Sequence, residues 1–152
     1  MTEHFMLAPV FITSDHAGYD MKVALQGWLQ AIGHKDIHLL GATSAMASDY
    51  PDDAVALAKA MEKNKSAMGI AICGSGIGIS IALNRHKHIR AALCRDVNDA
   101  ITARQHNNAN VLALAARRIS FDTAKDIVKK FQEIDFERGV ERHQRRVAML
   151  DR

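Results

Sequence analysis

The sequence has little of what marks secreted, membrane-bound or metal-clustered proteins. Among 152 residues only Cys73 and Cys94 are cysteines, too few for a disulfide framework, and no C-x-x-C pair indicates structural zinc. No segment offers the roughly 18 uninterrupted apolar residues of a membrane span. Met1 to Pro9 lacks the basic start, long apolar run and cleavage site of a secretory signal. We expect one soluble domain, residues 1–152, that works in the cytoplasm with reduced thiols.

The sequence also has little excess of one sign of charge over the other, since its formal net charge is only +3. Residues 137–152 hold five arginines against three acidic residues, so most of the excess positive charge lies in this tail. The tail has no long Lys/Arg run and no interleaved aromatic residues, which disfavours nucleic-acid binding. From charge alone it is most simply a solvated helix surface, although a few arginines are enough to hold one phosphate group.

Short apolar runs alternate with helical patterns along the chain. The apolar runs predict five strands, at residues 10–14, 37–40, 68–73, 89–93 and 111–115. Amphipathic stretches predict helices near residues 20–32, 52–65, 79–86, 96–106 and 121–134. This alternation predicts a three-layer α/β/α sandwich around a five-stranded parallel sheet of Rossmann-like type. The charged segment 138–152 has no place in this sheet, so we expect it to extend to a partner subunit.

The third predicted strand is followed by a glycine-rich turn, Cys73-Gly74-Ser75-Gly76-Ile77-Gly78-Ile79. Its glycines form G-x-G-x-G rather than the G-x-G-x-x-G of dinucleotide-binding turns, and no Gly-Lys-Ser/Thr of a P-loop follows. What remains is a thiol beside backbone N–H groups, a combination suited to moving a carbon-bound proton and stabilising an enediolate. A buried cysteine is ordinarily a core residue, but the glycines favour catalysis by Cys73. Cys94 has no such turn and is predicted to be a core or strand-end residue.

Other polar residues follow the ends of strands, where ligands bind in open parallel sheets. Five stretches, one of which is the glycine-rich turn, resemble in order and spacing the motifs of the ribose-5-phosphate isomerase B family, which includes the galactose-6-phosphate isomerase subunits. The matching motifs are Asp15-His16-Ala17-Gly18, Asp49-Tyr50-Pro51, Cys73-Gly74-Ser75-Gly76-Ile77-Gly78-Ile79-Ser80, Arg104-Gln105-His106-Asn107 and Arg142-His143-Gln144-x-Arg146. The resemblance covers nearly the whole chain, from about residue 10 to residue 147.

The resemblance implies an aldose–ketose isomerase that uses no metal and no cofactor. Its implied reaction interconverts ribose 5-phosphate and ribulose 5-phosphate, a step of the pentose phosphate pathway, through a cis-enediolate with a cysteine as general base. Isomerisation of allose 6-phosphate, galactose 6-phosphate or a tetrulose phosphate stays open, as does a subunit that binds sugar phosphates without catalysis.

The resemblance also implies a role for each matching residue. Cys73 is the base, since the position where some family members carry a carboxylate is the apolar Ile79, and Ser75 assists proton transfer at the substrate oxygens. His106 opens the furanose ring, with help from Asp15. The implied substrate contacts are His16, Tyr50, Gly74, Gly76, Ile77, Gly78 and Asn107. The implied phosphate contacts are His16, Arg117, Arg142, His143 and Arg146, of which Arg142 and Arg146 are spaced to share one helix face.

The predicted topology separates His106 from the turn. His106 ends the fourth predicted helix and precedes the fifth strand, which places it near the amino ends of the strands, whereas Cys73 follows a carboxyl end. A neighbouring subunit should therefore supply His106, in agreement with the shared dimeric site that the resemblance implies. We expect a homodimer, with a tetramer also open, and an inactive monomer.

Overall fold

The computed structural model describes residues 8–151 of the chain. Within them, strands and helices alternate as β1 (Val10–Ser14), α1 (Tyr19–Ala31), β2 (Ile37–Gly41), α2 (Tyr50–Lys63), β3 (Met68–Cys73), α3 (Ile77–Leu83), β4 (Ala91–Leu93), α4 (Val97–Asn107), β5 (Val111–Ala115), α5 (Phe121–Glu133) and α6 (Glu141–Met149). The predicted β-α alternation is confirmed. The described residues also contain one more helix, α6, than the five that the periodicity placed among the strands.

All five strands of the sheet are parallel and lie in the order β2-β1-β3-β5-β4. Side chains of the central strands point alternately to its two faces. In β3, Ile70 and Ile72 pack in a core with α1, α4 and α5, whereas Ala71 and Cys73 face α2 and α3. The predicted three-layer sandwich is therefore confirmed, and Cys73 lies on its α2/α3 side.

The edge strand β4 is shorter than predicted. Ile89 is buried, which explains its strand-like appearance in the sequence, but its N–H donates to the His86 carbonyl in a turn. The Arg90 N–H then donates to the Asn110 side chain. Strand pairing therefore begins only at Ala91.

The charged tail packs against its own chain. The Glu137 N–H donates to the Gln105 carbonyl at 3.1 Å, which fixes the segment before α6 to α4. His143 of α6 is buried, and its ring stacks at a tilt on His106 with centroids 4.3 Å apart. An extension of this tail to a partner subunit stays a prediction.

No helix among residues 8–151 combines the length and the apolar character needed to cross a membrane. The prediction about a secretory signal concerns Met1 to Pro9, and residues 1–7 of that segment lie outside the described residues. The single-domain and cytoplasmic assignments stay predictions.

Candidate active site

Asp15 and Cys73 meet at one edge of the sheet because β1 and β3 are neighbouring parallel strands. The strand order reverses direction between β1 and β3, which is where ligands bind in sheets of this kind. Cys73 is buried, and its Sγ accepts the N–H of Gly76 at 3.1 Å. The Ile77 N–H donates to Ser75 Oγ at 3.2 Å. The structure thus places a backbone N–H on the thiol, as the turn sequence predicts.

Two glycines of this turn lie where an added side chain would meet a neighbour. Gly76 has a φ of 72°, in the left-handed region, and a Cβ there would overlap Leu93 Cδ1 and lie 3.1 Å from backbone atoms of Leu114. A Cβ on Gly78 would lie 2.7 Å from the nearest atom of the Tyr50 ring. The first glycine therefore permits the hydrogen bond to Sγ, and the second lets Tyr50 pack against the turn.

A cavity of about 300 Å³ opens over the turn. It is lined by Asp15, Tyr50, Cys73, Gly74, Ser75, Gly78, Arg117 and Arg118. Arg117 is held beside the turn because its N–H donates to the Gly74 carbonyl at 3.0 Å. The cavity therefore joins a thiol, a hydroxyl and a carboxylate to two guanidinium groups, a set of groups that suits an anionic, oxygen-rich ligand.

His16 follows the lining residue Asp15 in the chain and forms a reciprocal pair with Ser48. The His16 N–H donates to Ser48 Oγ at 3.0 Å, and the Ser48 N–H donates to His16 Nδ1 at 3.1 Å. Because Nδ1 accepts, the neutral imidazole carries its proton on Nε2. His16 is thereby prepared to donate a hydrogen bond to an anion through Nε2.

Lys22 and Asp53 are buried near this edge of the sheet. Lys22 Nζ donates to the Leu40 carbonyl at 2.7 Å and to the Ala42 carbonyl. Burial lowers the pKa of Lys22, while burial first and then the nearby Asp15 raise the pKa of Asp53. Lys22 therefore fixes the start of the loop after β2, and Ser48 fixes its end on His16.

The remaining predicted site residues lie at the opposite end of the sheet. His106 and Asn107 end α4 just before β5 begins, and Arg142, His143 and Arg146 lie on α6, which packs on α4. The five residues of β5 span about 16 Å at roughly 3.3 Å per residue. Within residues 8–151, one chain therefore carries two separate clusters of predicted site residues, the Cys73 cluster and the His106 cluster.

Glu137 connects the two histidines of the His106 cluster. Its Oε2 lies 3.0 Å from His143 Nδ1 and 4.0 Å from His106 Nε2. The sequence did not single it out, because one acid in an arginine-rich tail resembles ordinary surface charge. Arg118, Ser48, Asp53 and Lys22 were missed for the same lack of a local signal.

Arg104 holds the His106 cluster in place. Its guanidinium donates to the Ile134 carbonyl at 3.0 Å and to the Ala109 carbonyl at 2.5 Å, and it lies over the Phe131 ring. Burial lowers the pKa of Arg104. The matching motif around Arg104 thus has a structural role, which ties the end of α4 to the end of α5.

Comparison with known proteins identifies relatives along almost the whole chain. The family model described as Ribose/Galactose Isomerase matches residues 10–150. A ribose 5-phosphate isomerase structure from Thermotoga maritima superposes with a TM-score of 0.90 at 39% identity, covering 95% of this chain and 98% of that one.

A ribose-5-phosphate isomerase B from Mycoplasma genitalium, solved with bound ribulose-5-phosphate, gives a TM-score of 0.89 at 37% identity, with 96% and 95% covered. The galactose-6-phosphate isomerase subunit LacA of Streptococcus mutans is 34% identical over 94% of this chain and 97% of its own length. These matches confirm the resemblance that the five motifs indicate, and they confirm the expected enzyme class.

Proposed function

The chain belongs to the ribose/galactose isomerase family, and from this premise we propose that it interconverts ribose 5-phosphate and ribulose 5-phosphate. The observation that carries the proposal is the Cys73 Sγ, which accepts a backbone N–H inside a cavity lined by Asp15 and two arginines. The ligand of the Mycoplasma genitalium structure supports this substrate. The Streptococcus mutans relative makes galactose 6-phosphate the second candidate.

In the proposed reaction, the Cys73 thiolate removes the proton from C2 of the open-chain aldose. The electron pair of the C2–H bond forms the C1=C2 bond, and negative charge moves to O1 of a cis-enediolate. Ser75 relays the hydroxyl proton from O2 to O1, and the Cys73 thiol returns its proton to C1. The product is the ketose, and every proton and electron pair is accounted for within substrate and side chains.

The N–H groups of the turn are assigned two different roles, which are to stabilise the thiolate and to stabilise the enediolate. The Gly76 N–H donates to Sγ, so it stabilises the thiolate of Cys73 rather than a substrate oxygen. The enediolate oxygen is therefore assigned to the other N–H groups of residues 74–78 and to the Ser75 hydroxyl. Arg117 and His16 Nε2 offer hydrogen bonds to the phosphate group.

We assign the His106 cluster to the active site of a partner subunit in a homodimer. One chain holds the thiol and the ring-opening histidine at opposite ends of its sheet, so neither end is complete alone. Exposed apolar side chains accompany both clusters, Ile77 and Ile81 on α3 and Met149 and Leu150 at the end of α6. Apolar surface of this kind is commonly covered by a partner, which supports an interface that joins the two clusters.

Complementation tests this shared site. A Cys73→Ala chain and a His106→Ala chain are unfolded together and refolded as a mixture. If sites form between chains, half of the dimers are mixed and each mixed dimer has one intact site, so about a quarter of wild-type activity returns. Mixed dimers verified by mass spectrometry that show no activity would rule out the shared site.

The matched control pairs Cys73→Ala with Asp15→Asn, two changes in the same cavity. The activity of this mixture should not exceed that of the more active of the two variants alone, because no dimer regains a site with both the Cys73 thiol and the Asp15 carboxylate. Coupled assays of the wild-type protein with ribose 5-phosphate, allose 6-phosphate and galactose 6-phosphate, with and without chelator, then test the substrate. The highest kcat/KM is expected for ribose 5-phosphate, and strict dependence on added metal would refute the thiolate mechanism.

A further inference from the structure

We propose that His106, Glu137 and His143 bind a divalent transition-metal ion of the Zn²⁺ type, and that this ion inhibits the enzyme. The three side chains come from the end of α4, the segment before α6 and α6 itself, and their ligand atoms all lie within 4.8 Å of one another. Two imidazole nitrogens and one carboxylate oxygen form a ligand set that zinc accepts while a fourth position stays open.

The spacing of the ligand atoms fits a small ion. The two nitrogens lie 3.0 Å and 4.0 Å from Glu137 Oε2. Tetrahedral zinc with ordinary bond lengths separates its ligand atoms by about 3.3 Å. The side chain of His106 is 45% exposed at the end of its helix, so it can rotate, and a movement of its ligand nitrogen by up to about 1.5 Å closes the site.

His143 Nδ1 gives an independent reason to expect a ligand. The His143 side chain is only 6% exposed, and Nδ1 has no hydrogen-bond partner among residues 8–151. Its contact with Glu137 is short enough for an ion pair but lacks the alignment of a hydrogen bond. A buried nitrogen in this state is costly, and a metal ion on its lone pair would satisfy it.

The position of the ion explains why it would inhibit. Metal coordination occupies Nε2 of His106, the group assigned to ring opening, so the ion and the sugar phosphate compete for one imidazole. This second half of the inference rests on the proposed function, whereas binding of the ion does not. The ion is an inhibitor rather than a cofactor, so a chelator should leave the activity unchanged or raise it.

Direct binding measurements test the site without reference to activity. The chelator-treated full-length protein is titrated with Zn²⁺ by calorimetry and with Co²⁺ by visible absorption, and about one ion per chain in a tetrahedral environment is expected. Glu137→Gln and His106→Ala should each weaken zinc binding at least about tenfold. The matched control is His38→Ala, because His38 also pairs with a carboxylate, Asp36 at 2.6 Å, without a third ligand. It should bind zinc as the wild type does.

Cys73→Ser separates this site from the thiol and should keep full zinc affinity. Absence of zinc uptake by the wild type, or loss of uptake in Cys73→Ser with retention in Glu137→Gln, would overturn the site. If Glu137→Gln does not fold, zinc binding by the His106→Ala variant tests the site instead, because the His106 side chain is exposed. Zinc that binds without lowering the activity of an active enzyme would overturn the inhibition. Zinc bound to the three residues of a protein inactive on every sugar phosphate would support the site and refute the proposed function.

Discussion

Replacement of Gly76 by alanine tests whether the left-handed turn positions the catalytic thiol. An alanine in the left-handed region costs about 1–2 kcal/mol. Its Cβ would also overlap Leu93 Cδ1, which can rotate away, and press on the Leu114 backbone, which cannot. Overpacking of this kind typically adds about 1–3 kcal/mol. We therefore expect Gly76→Ala to lose about 2–5 kcal/mol of unfolding free energy, which corresponds to a fall in Tm of roughly 4–20 °C.

Gly27→Ala is the matched control for this change. Gly27 lies in the middle of α1, and a Cβ there would meet nothing within 4 Å. Alanine should stabilise this helix by about 0.5–1 kcal/mol, the opposite sign. Both variants are compared by urea unfolding at one protein concentration, with kcat measured where each is folded. A Gly76→Ala variant with wild-type stability and wild-type kcat would refute the role of the turn.

Three further predictions follow from buried ionisable groups. Burial raises the pKa of Cys94 to about 12, so an alkylating reagent at pH 8 should modify Cys73 and spare Cys94, and equal labelling of both peptides would contradict this. Above pH 9 Cys94 ionises in the unfolded chain but stays protonated in the folded chain. Its contribution to the unfolding free energy should therefore fall with rising pH by up to about 1.4 kcal/mol per pH unit, and Cys94→Ala should remove this contribution. Lys22→Met leaves the Leu40 and Ala42 carbonyls without their donor, and an unpaired buried acceptor costs about 1–3 kcal/mol, which urea unfolding would measure. Lys125→Met, which breaks an exposed pair with Asp122, should cost under about 1 kcal/mol, and similar losses in both variants would argue against this role of Lys22.

The sheet and the Cys73 turn were predictable because local patterns carry them. β1 and β5 are buried along their whole length and β3 from its second residue onward, and a glycine-rich stretch follows β3 directly. The separation of His106 from Cys73 also followed from topology alone. The exact start of β4 did not, because it depends on the side chain of Asn110, twenty residues away from Arg90.

The supporting residues of the site escaped the sequence for a physical reason. Lys22 lies on a helix where a lysine predicts exposure, yet it is buried because two carbonyl groups of another segment accept hydrogen bonds from its ammonium group. Ser48 pairs with His16 across 32 residues, and Glu137 meets His143 only because the tail folds back on α4. Such contacts arise from tertiary packing, and no periodicity or spacing along the chain records them.

The loop between β2 and α2 is fixed at both ends and exposed between them. Lys22 holds the carbonyl groups of Leu40, at the end of β2, and Ala42, at the start of the loop, and Ser48 closes the loop on His16. Met46 at the tip of the loop is 79% exposed. The tip can therefore change in length or sequence without disturbing the imidazole that its base orients. The tip of this loop is therefore an exchangeable segment, and grafting tips from relatives onto the fixed base would test whether the loop sets the sugar preference.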